Sequence, residues 1–332
     1  MTIIPNVIVS GCAGFIGAKV CELLLERGDM VFGLDNMSDA YDVRLKHHRL
    51  ETLRGFERFS FFECDISDNP GLLSVCEEIK AFCGGGRIGC VINLAARAGV
   101  RQSIENPWIY YSTNVTGTLN LLEFCRSEGI GKFVLASTSS VYGENEIPFR
   151  EDMKTDYQLS QYASSKKSAE GLCSVYNSLY GIDISVLRYF TVYGPAGRPD
   201  MSVFRFIKWI NEGEEIVILG DGEQKRDFTY VDDIAAGTVL AIKNLGFEII
   251  NLGSAASVSL NEIIEVIERG TGKKAKVTCS APHPSDIRVT LASIDKAKKI
   301  LDWEPCFDIE TGIENSLRWY NANEALVRSI EI

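Results

Sequence analysis

Residues 6–17 read NVIVSGCAGFIG, an apolar run of strand character that breaks into glycines at Gly11, Gly14 and Gly17 and then into an amphipathic stretch. Few folds accept G-x-x-G-x-x-G at the junction of a strand and a helix. A tight turn at Gly11, a close backbone approach near Gly14 and helix–sheet packing at Gly17 leave the helix N-terminus facing a cleft. There its unpaired N–H groups and its dipole attract a pyrophosphate. Asp35 ends the next apolar run. From that place a carboxylate accepts hydrogen bonds from both ribose hydroxyls of an adenosine and repels a 2′-phosphate, which favours NAD over NADP. Arg44 and Lys46 stand close by in sequence and weigh the other way. Asp65, closing the third apolar run, is expected at the adenine edge.

The rhythm of the chain agrees with that start. Apolar runs at 6–11, 30–35, 59–65, 89–95, 132–138 and 183–190 predict buried strands, and amphipathic stretches at 15–27, 42–54, 70–82, 107–128 and 157–180 predict helices between them. Such alternation implies a parallel sheet covered by helices on both faces, a Rossmann-type doubly wound α/β fold. Beyond 193–201 the elements shorten. Helical patterns at 202–211, 232–244, 259–269, 293–301 and 309–322 surround brief strands, as in a smaller α/β substrate-binding domain. Segments 226–234 and 248–253 read as returning to the first sheet. The expected division is therefore 1–190 plus about 226–255 for the cofactor domain, and about 191–225 plus 256–332 for the substrate domain.

Composition excludes several classes of function. A net charge of −11 over 332 residues argues against a nucleic-acid surface or an anionic membrane. No apolar run is long enough to span a bilayer. The first residues carry no basic region of the signal-peptide kind, so a cytoplasmic protein is expected. Ten cysteines without a C-x-x-C pair, and only three histidines, point to reduced thiols rather than disulfides or a metal centre.

Chemistry enters with YASSK, which puts Tyr162 and Lys166 four residues apart on one face of a predicted helix. A phenol must lose about three units from its ordinary pKa to act as a base at neutral pH, roughly 4 kcal/mol. A fixed ammonium and a positive nicotinamide beside it supply stabilisation of that kind. The stretch VLASTSSVYG, 134–143, adds four consecutive hydroxyl side chains at the end of a predicted strand.

Taken together, G-x-x-G-x-x-G, NLAA at 93–96, a threonine four residues before Tyr142, and Y-x-x-x-K resemble the extended short-chain dehydrogenase/reductase family of nucleotide-sugar enzymes. The resemblance runs from about residue 5 to about 320. It implies an NAD-dependent enzyme in which Thr138 binds the reacting sugar oxygen, Tyr162 is the base, and Lys166 holds both Tyr162 and the nicotinamide ribose. It implies further cofactor contacts at Phe15, Ile16, Asn36, Ile66, Leu94, Ala95, Ala96 and Asn114. Ser139 and Ser140 stand where the dehydratases of the family carry Asp-Glu, and where its decarboxylases carry a Glu. Hydroxyls do not serve as acid–base groups near neutral pH, so what remains is reversible oxidation and reduction at one carbon.

Residues 93–103, 188–201 and 35–46 are most similar to those members that invert C4 of UDP-glucuronate through a 4-keto intermediate. That likeness implies a UDP-sugar substrate with Thr191 and Arg198 at the sugar, Arg198 gripping its carboxylate, and Arg226 and Arg288 at the diphosphate. Ser139 and Ser140 are expected to help hold the carboxylate away from the alignment in which a β-keto acid loses CO2. Two positions depart from the pattern: Arg97 stands for a usual Gln and Ala196 for a usual Trp, both expected near the substrate end. Action on UDP-glucose, decarboxylation, and a non-catalytic NAD-binding sensor remain open. Helices 107–128 and 157–180 resemble those of a homodimer interface.

Overall fold

The computed structural model describes residues 6–83, 86–281 and 287–332. Six strands come first in the chain: β1 (Asn6–Ser10), β2 (Met30–Asp35), β3 (Phe59–Glu63), β4 (Cys90–Asn93), β5 (Lys132–Thr138) and β6 (Asp183–Tyr189). Short strands β7 (Thr191–Tyr193), β8 (Glu215–Leu219) and β9 (Lys225–Tyr230) follow, then β10 (Phe247–Leu252), β11 (Ser257–Ser259) and β12 (Lys276–Ser280). Seven of these make one parallel sheet in the order β10–β6–β5–β4–β1–β2–β3. The chain leaves β1 toward β2 on one side and later returns to β4 on the other. Between them lies the switch point, where α/β sheets form clefts beyond their carboxyl ends.

Each strand between its neighbours is apolar on both faces because helices cover both. Along β1, Val7 and Val9 enter one layer and Ile8 the other. The first layer takes α1 (Phe15–Glu26), through Ala18, Cys21 and Leu24. It also takes one residue, Leu53, of α2 (Arg44–Arg54). The second takes α3 (Asn69–Phe82), through Leu72, Cys76 and Ile79.

The stretch expected as one helix over 107–128 is a broken run. After a short α4 (Gln102–Glu105), it comprises α5 (Pro107–Tyr110), a widened π-helical segment Tyr111–Thr116, and α6 (Gly117–Glu128). The long α7 (Gln161–Tyr180) starts four residues later than its pattern suggests, because Ser160 Oγ caps it by accepting from Ala163 N.

Beyond these lie α8 (Ser202–Glu212), α9 (Val231–Leu240), α10 (Leu260–Thr271), α11 (Asp295–Leu301) and α12 (Ile309–Ala322). Phe204, Ile207, Phe228, Ile263 and Ile313 form a separate core among α8, β9, α10 and α12. Here the structure departs from the sequence reading. Strand β10 does join the large sheet beside β6, but β9 pairs with β7 and β11 in a three-stranded sheet of its own. Asp227 on β9 is fully buried and accepts hydrogen bonds from the N–H groups of Ser254, Ala255 and Ala292, which tie the strand to the loops around it.

Candidate active site

At the end of β1, Gly11 takes φ +77°, and a Cβ there would lie 2.7 Å from Ala95 N. A Cβ on Gly17 would fall 1.9 Å from Gly11 O, so only glycine lets the helix approach the turn. Helix α1 begins with no side-chain cap and no acid in its first turn. Its first N–H groups are therefore left to the cleft outside the switch point. Asp35, buried at the end of β2, accepts from Ala13 N at 3.2 Å and Met37 N at 2.9 Å. It also pairs with Lys46 Nζ at 3.0 Å. Asn36 donates to Asp65 at 2.9 Å. Against the upward push of burial, Ser67 and Asn36 hold the Asp65 carboxyl below its ordinary range. A side-chain-free turn, open N–H groups and a carboxylate at the next strand end are the parts that a dinucleotide requires, so the residues fit one.

Every residue expected at the cofactor lines this cleft except Asn114. Asn114 lies behind the wall, in the π-helical segment. It is hydrogen-bonded to Arg97 N and O and to Ser165 Oγ, so it shapes the loop after β4 rather than the cleft itself.

Strand β5 delivers the hydroxyl cluster. Thr138 Oγ1 accepts from Ser140 N at 3.2 Å and starts a 3-10 turn over Ser139–Tyr142. Tyr142 is buried and donates to Asn251 Oδ1 at 2.7 Å, which anchors the turn. Opposite, the first turn of α7 carries Tyr162, and Lys166 follows one turn later with Nζ donating to Ala136 O at 2.9 Å. Burial pushes the Lys166 ammonium down to about 8, against the upward pull of the Glu170 charge. Burial also raises the Tyr162 phenol, while a hydrogen bond with Thr138 and the charge of Arg198 pull it back. The protein alone thus keeps Tyr162 protonated at neutral pH, and a further positive charge is needed beside it to make the phenolate available.

A second cavity adjoins the first. Ser137, Tyr162, Tyr189 and Arg198 line both, so the phenol stands at their seam. Thr138, Ser139, Ser140, Thr191 and Arg226 line the second only. Among the described residues no acidic side chain lines it, whereas Arg198 and Arg226 do. Arg198 is held in a fork by Asp200, at 3.0 Å from Nε and 2.6 Å from Nη2. A ligand carboxylate is left the other edge of the guanidinium.

Four residues lie elsewhere than the place expected of them. Arg288 does not line the cavity; its side chain is 80% exposed and lies 4.0 Å from Asp221. Arg44 is exposed and paired with Asp42, so only Lys46 of the two nearby cations faces the cofactor cleft. Arg97 lines the cofactor cleft, 3.9 Å from Asp39, and not the second cavity. Ala196, with left-handed backbone at φ +50°, opens onto a third cavity beside His48 and Trp319 and does not line the second. Sequence reasoning passed over Tyr41, Arg49 and Asp200. Lys46 and Arg49 stand three apart on one face of α2, but that this face is buried appears only in the structure.

The model of the NAD dependent epimerase/dehydratase family matches residues 7–253. The chain is 54% identical, over 98% of its length and 99% of the other's, to a UDP-glucuronate 4-epimerase of Thermodesulfobacterium geofontis. The structure is similar to that of UDP-glucuronic acid 4-epimerase from Bacillus cereus in complex with UDP-glucuronic acid and NAD. The TM-score is 0.87 at 37% identity, covering 96% of this chain and 99% of that one. A UDP-glucose 4-epimerase from Thermotoga maritima, solved with UDP-glucose, superposes with TM-score 0.85 at 30% identity, with the same coverages.

Proposed function

This chain belongs to the NAD dependent epimerase/dehydratase family, and we propose that it interconverts UDP-glucuronate and UDP-galacturonate by inverting C4. NAD, when bound, supplies a hydride acceptor that is regenerated within each cycle. The observation that carries this reading is the position of Tyr162, at the seam between a dinucleotide cleft and a cavity lined by hydroxyls and two arginines but no described acid. A cationic cavity with no acid among the described residues suits a substrate that brings its own carboxylate and diphosphate. Among those residues it offers no partner for dehydration.

In this reading Thr138 orients the 4-hydroxyl and Tyr162 removes its proton, with Lys166 stabilising the phenolate. The 4-keto sugar then turns over within the cavity, so that the opposite face of C4 is presented for reduction, and Tyr162 returns the proton to the 4-oxygen. Arg198, Thr191, Ser139 and Ser140 hold the carboxylate out of line with the carbonyl π system and so suppress loss of CO2. Arg226 meets the diphosphate. Asp35 accepts the adenosine ribose hydroxyls. The parts around the large sheet form the cofactor-binding domain, and those around α8, α10 and α12 form the nucleotide-sugar domain.

A cytoplasmic homodimer completes the proposal. It is supported by exposed apolar residues on α5, α6 and α7: Trp108, Leu119, Val175 and Leu179. The test is incubation of the purified protein with UDP-glucuronate, UDP-glucose and UDP-N-acetylglucosamine without added cofactor, with products identified by NMR. UDP-galacturonate from UDP-glucuronate is expected. Tyr162→Phe should lose at least about a hundredfold in kcat while keeping its NAD. Turnover of UDP-glucose alone would overturn the choice of sugar, and a fully active Tyr162→Phe would overturn the chemistry.

A further inference from the structure

We infer that Arg49 is a positioning residue that sets Arg198 for the sugar carboxylate by tying the substrate loop to the glycine loop; this rests on the function proposed above. Arg49 lies on α2, is 5% exposed, and directs its guanidinium at backbone rather than at an acid. Nε and Nη2 donate to Ala196 O at 3.0 and 2.6 Å, and Nη2 also donates to Gly197 O at 3.1 Å. On its other side, Nη1 donates to Ala13 O at 3.2 Å and to Tyr41 Oη at 2.8 Å. The guanidinium lies 6.0 Å from the Phe15 ring and 5.5 Å from the Tyr41 ring.

These contacts join three parts of the site that are remote in the chain. Ala13 is inside the glycine loop. Ala196 and Gly197 immediately precede Arg198. Tyr41, which lines the cofactor cleft, presents its ring to both cations, with Arg198 5.7 Å from the centroid. The left-handed backbone of Ala196 is one that a residue with a Cβ adopts reluctantly, and two charge-assisted hydrogen bonds to its carbonyl hold it there. Arg198 is therefore fixed twice, its side chain by Asp200 and its backbone by Arg49. A guanidinium is suited to this work because its planar fork reaches several carbonyls at once, which a single ammonium cannot do.

The experiment compares wild type, Arg49→Lys, Arg49→Gln and Tyr41→Phe, each purified with its own NAD. Binding of UDP-glucuronate and of plain UDP is measured by calorimetry, and the share of UDP-pentose among products by NMR. For Arg49→Lys the dissociation constant of UDP-glucuronate should rise about tenfold, because small misplacements of a positioned group are costly. Plain UDP should bind within about twofold of wild type, since it lacks the carboxylate that Arg198 grips. The UDP-pentose share should increase. Tyr41→Phe removes only one partner of Arg49 and should shift UDP-glucuronate binding the same way by about threefold; it decides the matter if the Arg49 variants do not fold. Equal losses for UDP and UDP-glucuronate, or a lower melting temperature with unchanged affinities and product shares, would overturn the inference. A wild type that neither binds nor converts UDP-glucuronate would instead overturn the function on which it rests.

Discussion

Lys166 Nζ stands 2.9 Å from the carbonyl oxygen of Ala136, on the floor of the cofactor cleft one helical turn beyond Tyr162. The side chain is 4% exposed and its nearest help from a carboxylate comes from Glu170, which is itself engaged by Arg188. A buried ammonium in that position costs the fold, and the chemistry proposed for it is what would offset that cost.

Replacing Lys166 with methionine should therefore stabilise the cofactor-stripped protein while abolishing turnover. Burial holds Lys166 near 8 in the folded state, and an unfolded chain releases that proton near 10.4. Between these values the unfolded state binds more protons, so the folding penalty is whole below pH 8 and shrinks as pH rises toward 10. Its size is about 3 kcal/mol at most. Thermal melts should place Lys166→Met several degrees above wild type at pH 7, with the gap narrowing at pH 9.5. A gap that widens with pH contradicts the assignment.

Cofactor choice should turn on Asp35 and Lys46. Their ion pair is buried in the cleft, and Asp35 alone repels a 2′-phosphate. Asp35→Ser leaves Lys46 as an unpaired cation beside the ribose. NADP affinity should rise at least about tenfold and NAD affinity fall, since a charge-assisted bond replaces a repulsion. Fluorescence titration with both dinucleotides checks it, and an unchanged preference counts against Asp35 as the ribose acceptor.

Arg198→Ala should raise KM for UDP-glucuronate by about 10- to 100-fold, the value of a lost hydrogen bond to a charged group. It should also release more UDP-pentose per turnover, because the carboxylate is then free to align with the C4 carbonyl. Product analysis by NMR reads both. If the pentose share stays at the wild-type level, Arg198 does not restrain the carboxylate.

Glu170→Gln should cost the fold about 3–5 kcal/mol. Glu170 and Arg188 are 2% and 1% exposed and joined by two hydrogen bonds of 2.9 and 2.8 Å, and Ser137 donates to the same carboxylate. Neutralising the acid strands a buried guanidinium whose Nη1 already lacks a partner. The urea midpoint should drop at unchanged slope; a midpoint equal to wild type would show that the pair carries no such weight.

Much of the large sheet was legible in the sequence, because its strands are continuous apolar runs that both faces bury and its helices carry clear periodicity. The π-helical segment Tyr111–Thr116 was not, since no residue type within it marks a widened turn in the way that proline or glycine marks a break. Strand β9 reads like any strand, and its partners β7 and β11 are set by tertiary packing that its apolar pattern does not encode.

The sequence by itself determined those parts of the site whose members are near neighbours: the glycine turn with its helix, and Tyr162 with Lys166 one turn on. Local geometry makes such groups whatever surrounds them. The tertiary structure alone decided which way each remaining charge faces. Arg49 meets Ala196 across 147 residues, Lys46 turns inward while Arg44 turns out, Arg97 joins the cofactor cleft, and Arg288 stays on the surface. The physical reason is that a charged side chain is written the same way whether it meets water or a buried carbonyl, and only packing between distant segments removes the water.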